Sequence, residues 1–337
     1  MAVARRHHTV PNFYLKGFAT KASQIGAVQL PGTRRFVQST SDATIQKDFY
    51  AIPGHSDGPD VFEKSLSELE RDAAKIFRKI LNDDVWPLPH EDREVLATFL
   101  TIQFLRGPDQ RRHMEQTMAL LTRLEVGAGG KAGVEAWAKR KHGVSVSPEQ
   151  AERIWTEATQ PGGPPIKLAA VGHIRQMLEL TPQLIRYFAA RPWQLYRFSR
   201  RSLVTCDAPV SLIPDQHAQW DEGTGLMNAW AIAVPLSRKT GILLGNPEAF
   251  FGEVAAAEVS TGQFDHRGEP STAVAHMFNA ATIENARQWV YHHPDDKNLV
   301  PEALPEPRAA EIQTSGAAIE FSGEPYFGRL SPNEETE

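Results

Sequence analysis

The stretch DVFEKSLSELERDAAKIFRKIL, residues 60–81, decides how the chain is read. Phe62, Leu66, Leu69, Ala73, Ile76, Phe77 and Ile80 recur three and four residues apart, the spacing of one face of an α-helix. Lys64, Glu68, Arg71 and Asp72 fall on the other side and predict a wet face. Such a helix needs neighbours for its apolar stripe, and the downstream sequence supplies them. After the Pro87-Leu88-Pro89 break a second helix is predicted from His90 to Arg106. Gly107-Pro108 interrupts it, and the pattern resumes from Asp109 to Leu124, ending at the glycines from Gly127 to Gly130. A shorter helix is predicted over Pro148 to Thr159 and a fourth long one over Leu168 to Ala190. Helices linked this locally pack antiparallel.

On either side of the helices the pattern changes. Pro11 suits the first position of a short helix, Asn12 to Lys16, with Gly17 as its stop. Ala27–Leu30 and Arg35–Val37 read as strands around a Pro31-Gly32 turn, and Ser41 to Lys47 as a further short helix. Beyond Arg191, Trp193–Phe198 alternates at period two, and Leu203–Thr205, Ala229–Val234 and Gly241–Gly245 have strand composition. A helix from Ser271 to Arg287 precedes a last strand, Trp289–Tyr291. The expected class is α+β: a mainly helical N-terminal two thirds of long antiparallel helices, plus a small, mostly antiparallel sheet from the C-terminal third and the N-terminal segment. The expected organisation is a single domain over 1–300, helical over about 59–190, with the sheet from about 191–291 and the N-terminal strands. Residues 301–337, rich in proline, glutamate and glycine, are expected to be a disordered tail.

Composition narrows the function. The chain has 337 residues, 36 basic and 41 acidic, for a formal net charge of −5. A dedicated duplex-DNA binder is usually strongly basic, so this balance argues against one. The 41% hydrophobic and 23% charged content is that of a globular protein. The longest apolar run, Ala229 to Leu236, is far shorter than the roughly 20 residues of a membrane span. Met1 to His8 contains Arg5-Arg6 and no apolar leader, so a cytoplasmic location with no membrane partner is expected. One cysteine, Cys206, excludes an intrachain disulfide framework.

Candidate chemistry lies in polar residues at apolar positions. On the second long helix Val95, Leu96, Phe99 and Ile102 define an apolar arc, and Gln103 and Arg106 fall inside it. A buried guanidinium needs a carboxylate or an anionic ligand. Glu63 and Glu70, seven residues apart on the preceding helix, project together and could meet Arg106 or bind a divalent cation. His7 and His8 lie in extended chain ahead of Pro11, so one imidazole faces any given site and the other faces away. His292-His293 with Asp295 and Asp296 offers a second histidine and carboxylate set, without a helical metal-ligand spacing. Asp207, at the end of the Leu203–Cys206 strand, either faces a site or caps the turn before Pro209.

The opening His7-His8-Thr9-Val10-Pro11-Asn12-Phe13-Tyr14-Leu15-Lys16-Gly17-Phe18 resembles the signature of the bacterial domain of unknown function 4238 family. The resemblance runs on through Asp48-Phe49-Tyr50, Glu63, Glu70, Phe99 to Arg106, and Thr205-Cys206-Asp207-Ala208-Pro209, where Cys206 departs from the family's serine. It implies no established activity. It does imply that His7, His8, Gln103, Arg106 and Asp207 belong to one constellation. Two functions remain open. The first is a hydrolase, a nucleic-acid-directed phosphodiesterase built on His7, His8, Glu70, Gln103, Arg106 and Asp207, acting on nucleic acid or a phosphate-containing small molecule, with or without a divalent metal. The second is a non-catalytic protein in which the same cluster binds a ligand or partner, or locks the helices together.

Overall fold

The computed structural model describes residues 5–215, 223–246, 254–307 and 320–325. The sequence reading has one domain over 1–300; the backbone groups into two compact units, Met1–Pro108 with Ala170–Arg308, and Asp109–Ala169 with Ala309–Glu337. The expected tail falls largely on 308–319 and 326–337, outside the described residues. Within it, Leu304 is buried and donates its N–H to the Pro31 carbonyl, so the chain past Pro301 is still packed on the first unit. Among the described residues no helix is long and apolar enough to cross a membrane.

In the first unit, β1 (Arg6–His8) leads to α1 (Asn12–Leu15), β2 (Gln24–Gln29), β3 (Arg34–Ser39) and β4 (Ile45–Lys47). The predicted helix over Ser41–Lys47 is a tight turn and a strand instead. Thr44 and Asp48 take left-handed φ values of 58° and 53°, which breaks any helical run, and β4 pairs antiparallel with β1. The periodic stretch forms α2 (Val61–Leu81), and α3 (His90–Leu105) packs on it. The fourth predicted helix is broken into α7 (Ala170–Leu184) and α8 (Arg186–Ala189); Pro182, inside α7, has no N–H to contribute to the ladder.

The expectation of one small sheet is overturned: the strands form three sheets spread through the chain. β1 and β4 make a two-stranded ribbon. β5 (Trp193–Arg197), β7 (Ser211–Ile213), β8 (Ala231–Ser237), β9 (Thr240–Leu244) and β10 (His266–Arg267) form a mixed sheet in the order β10-β5-β9-β8-β7, with β10 parallel to β5. The third sheet has the order β3-β2-β11-β6, where β6 is Thr205–Cys206 and β11 is Trp289–His292. Its centre joins the two ends of the chain, with Val28 opposite Val290. No local pattern reports such a pairing, because period two fixes which side a residue faces and not which strand it meets. α9 (Ala256–Ser260) and α10 (Thr272–Asn285) complete the unit.

One apolar cluster runs from Tyr14, Leu15 and Phe18 through Phe77, Ile80, Leu96 and Phe99 to Trp193, Ile232, Ile242 and Phe278. Tyr14 ties its polar seams: the hydroxyl donates to the Pro235 carbonyl at 2.6 Å and lies 2.8 Å from Thr205 Oγ1. Cys206 packs with Val28, Val204 and Val290 in a separate buried cluster. A second latch escaped the sequence reading. Arg93 of α3 is fully buried; its Nε and Nη2 bind Asp265 at 2.7 and 3.2 Å, and its other donors reach the carbonyls of Ala189, Arg191 and Ser260. Its guanidinium lies 4.2 Å over the Trp193 ring, whose main-chain N–H donates to Asp265. Every charge there is met, the condition for tolerating a buried ion pair.

The second unit contains α4 (Pro108–Gly129), α5 (Val134–His142) and α6 (Pro148–Thr159). α4 outruns its predicted end at Leu124, and Gly127 keeps the helix surface bare where the Phe321 ring lies against it: a Cβ there would come within 2.5 Å of that ring. α5 was not read from the sequence. α6 starts with a reciprocal cap, Gln150 N–H to Ser147 Oγ and Ser147 N–H to Gln150 Oε1. Val126, Val134, Trp155 and Ala158 form the core of this unit.

Candidate functional site

Arg106 follows the last residue of α3 and is 1% exposed. The helix period that predicted an inward guanidinium also brings it to α2. Nη1 donates to Glu70 Oε1 at 2.8 Å, Nη2 to the His8 carbonyl at 2.6 Å, and Nε to the Tyr50 hydroxyl at 3.3 Å. That hydroxyl in turn donates to the Arg106 carbonyl at 3.0 Å. Burial opposes the charge, but Tyr50 and Glu70 outweigh it and hold the guanidinium above its ordinary pKa. Burial raises the Tyr50 phenol as well, so it stays protonated and can serve as donor.

The two histidines of β1 are held differently. His7 is fully buried; its Nδ1 accepts the Tyr50 N–H at 2.8 Å and its ring stacks on Tyr50 at 5.7 Å between centroids. His8 is half-buried, and its Nδ1 lies 3.1 Å from the Ala43 carbonyl. A carbonyl only accepts, so Nδ1 carries the proton and the lone pair of the neutral ring is on Nε2. Burial lowers the His8 pKa, against the pull of the Ala43 carbonyl and Glu70.

The α2 carboxylates differ sharply. Glu70 is 22% exposed at the side chain and holds Arg106 through one oxygen. Glu63, two turns earlier, has a buried Oε2 without a hydrogen-bond partner. Burial raises its pKa despite the nearby charge of Arg106. An unpartnered buried oxygen favours the neutral acid, since ionisation would place charge where nothing solvates it. Gln103 adds a second unmet acceptor: its Nε2 donates to the Thr9 carbonyl at 3.0 Å and its Oε1 has no partner.

The structure therefore gathers His7, His8, Glu63, Glu70, Gln103 and Arg106 around the β1 strand and the facing ends of α2 and α3. Asp207 is held differently. Its carboxylate accepts the N–H groups of Arg287, Gln288 and Trp289 at 2.8, 2.8 and 3.1 Å, closing the turn from α10 into β11. These bonds cap a turn far along the chain, at residues 287–289, and not the turn before Pro209. Tyr50 is the residue missing from the sequence candidates. Its signal was the aromatic pair Phe49-Tyr50 at the end of the N-terminal segment, but its contacts with His7 and Arg106 come from distant parts of the chain.

The residues of the His292-His293 set are engaged in local bonds. His293 Nδ1 accepts the Asp295 N–H as a helix cap, and Asp296 takes two hydrogen bonds from Arg238 at 2.6 and 2.9 Å. Among the described residues no group of three His, Cys, Asp or Glu side chains is placed to hold a metal ion.

A family model described as protein of unknown function (DUF4238) matches residues 6–296. The chain belongs to that family. The match takes in β1, Tyr50, both α2 carboxylates, Arg106 and Asp207, so the whole polar cluster lies inside the DUF4238 region. No curated protein and no solved structure shows a significant match to the chain.

Proposed function

We propose that the chain is a hydrolase in which His8 is the general base. The hydrogen bond between His8 Nδ1 and the Ala43 carbonyl carries this reading, because it fixes the tautomer whose Nε2 accepts a proton. The lowered pKa keeps the ring neutral near pH 7, ready to take a proton from water or a hydroxyl. Glu63 is the complementary acid: burial holds its pKa up, and two groups with pKa values pushed apart divide the acid and base roles. Arg106 positions the site by gripping the His8 carbonyl and Glu70.

The phosphodiesterase form of the proposal takes Arg106 as a phosphate clamp. Its bonds to Glu70, His8 and Tyr50 support a positioning role instead, so the scissile bond is the variable of the experiment. The purified chain is incubated with RNA, DNA, nucleotide mixtures and simple esters, each with and without added divalent metal. Turnover of one class that falls by about 100-fold in His8→Gln, with melting unchanged, supports the proposal. No turnover in any arm refutes it. The three bonds that already hold Arg106 favour one competing reading, a non-catalytic polar lock, under which His8→Gln alters stability alone.

A further inference from the structure

The sheet ordered β3-β2-β11-β6 ends at β3, outside the network around Arg106. With six residues, β3 is the longest strand at any sheet edge among the described residues. An uncovered edge presents unpaired N–H and C=O groups to any extended chain. Which residues present them follows from the register. Thr40 donates its N–H to the Ser23 carbonyl, one step beyond the pair Ser39 and Gln24. Bonded and non-bonded pairs alternate along an antiparallel ladder. Arg34, Phe36 and Gln38 therefore bond β2, while Arg35 and Val37 turn their N–H and C=O outward. Those groups have no hydrogen-bond partner among the described residues.

The two faces beside this edge differ. Val37 lies opposite Gly26, and Gly26 opposite His292, so these residues share a face with Arg35. On that face an open cleft of about 580 Å3 is lined by Arg35, Val37, His292, Lys297 and Glu302. Arg35 donates to the carbonyls of Gly32, Val300, Pro301 and Glu302, which hold the guanidinium without neutralising it. Lys297 is exposed, and no acid is paired with it among the described residues. Glu302 is the acid on the rim. The opposite face carries the Phe36 ring, which packs edge-on against Trp289 at 5.7 Å between centroids, with the Arg34 guanidinium 4.8 Å over it. Arg34 likewise has no acidic partner among the described residues.

These charges choose the occupant of the edge. A second copy pairing edge to edge would crowd Arg34, Arg35 and Lys297 of both chains together, and like charges across a strand pair are destabilising. The same cations attract an acidic strand. We propose that β3 takes up an extended acidic segment of a partner protein as an added strand. Its main chain pairs with Arg35 and Val37, alternate carboxylates enter the cleft towards Arg35 and Lys297, and the apolar side chains between them lie along Phe36. The edge arginines deter basic strands and select acidic ones. The proposal is independent of the hydrolase reading, since none of its residues belongs to the Arg106 network.

Titration calorimetry of the full chain with a blocked peptide, Thr-Glu-Val-Glu-Val-Glu-Thr, tests it. The peptide is expected to bind, and to bind at least about ten-fold more weakly when lysines replace its glutamates or when methyl groups block alternate amides. Val37→Pro removes one outward N–H and no bond to β2, because an edge strand tolerates proline on its open side. That variant and Lys297→Glu, at an exposed position, are each expected to weaken the peptide by about ten-fold or more. Absence of binding at about 1 mM peptide overturns the proposal. Binding that amide methylation or Val37→Pro leaves unchanged also overturns it, as a contact of charges without strand pairing. Sedimentation of the chain alone supplies the last arm: a dimer lost in Val37→Pro gives the edge to a second copy and overturns the acidic partner. If Val37→Pro does not fold, Lys297→Glu and the methylated peptide decide the matter.

Discussion

Replacing Arg106 with methionine keeps most of the volume and removes the charge and every donor. Two losses dominate. Glu70 gives up a 2.8 Å charged partner but is 22% exposed at its side chain and regains water, so its share of the usual buried-pair penalty falls to about 2 kcal/mol. The His8 carbonyl gives up a 2.6 Å bond from a charged donor, which adds about 1–2 kcal/mol. Tyr50 keeps its bond to the main-chain carbonyl of residue 106 and contributes little. The expected loss is about 3–4 kcal/mol, read as a shift of the urea midpoint at constant slope. Glu70→Gln supplies the other corner of a double-mutant cycle, with a coupling energy of about 1–2 kcal/mol. A loss below about 1 kcal/mol, or simple additivity of the two substitutions, would show that the ion pair does not hold α2 to α3.

Glu63→Gln tests the orphaned carboxyl. A raised folded-state pKa means the native protein binds the extra proton, so this contribution to stability is full below about pH 4.5 and is lost as pH rises through the folded pKa. The variant should match wild type near pH 4.5 and exceed it at pH 8 in urea titrations; a variant less stable than wild type at pH 8 contradicts the buried-acid assignment. His8→Gln has the opposite signature, because a lowered folded pKa makes the native state lose stability as pH falls below about 6.5; removing the ring should flatten that acid limb in melts between pH 7 and 5. Asp207→Asn should cost about 1–3 kcal/mol by weakening the acceptor of three backbone N–H groups, with any turnover per folded molecule unchanged; selective loss of turnover would return Asp207 to the active site. Arg93→Met leaves Asp265 fully buried without its cation, where burial already favours the neutral acid, so a loss of about 3 kcal/mol is expected in chemical denaturation, and a neutral outcome would contradict the latch.

The sequence by itself determined the helices and which of their side chains turn inward. α2, α3, α6 and α10 begin and end within a few residues of their predicted bounds, because a 3.6-residue period and its caps are local quantities. The same arithmetic placed Gln103, Arg106 and Glu70 at inward or edge positions, where Arg106 and Glu70 do meet. Arg93 was less legible: at about 100° per residue it falls about 60° beyond Leu96, outside the arc that holds Arg106, and the helix pattern could not name its partner Asp265. Only the tertiary structure decided that the strands divide into three sheets, since β2 finds β11 across most of the chain and alternation carries no address. It also decided what each polar residue does. A carboxylate has the same composition whether it faces an arginine or three backbone N–H groups, and Asp207 became the cap of a turn because residues 287–289 arrive beside it. Direction along an element is written in neighbours a few positions away; partnership is written by whatever distant segment the fold delivers.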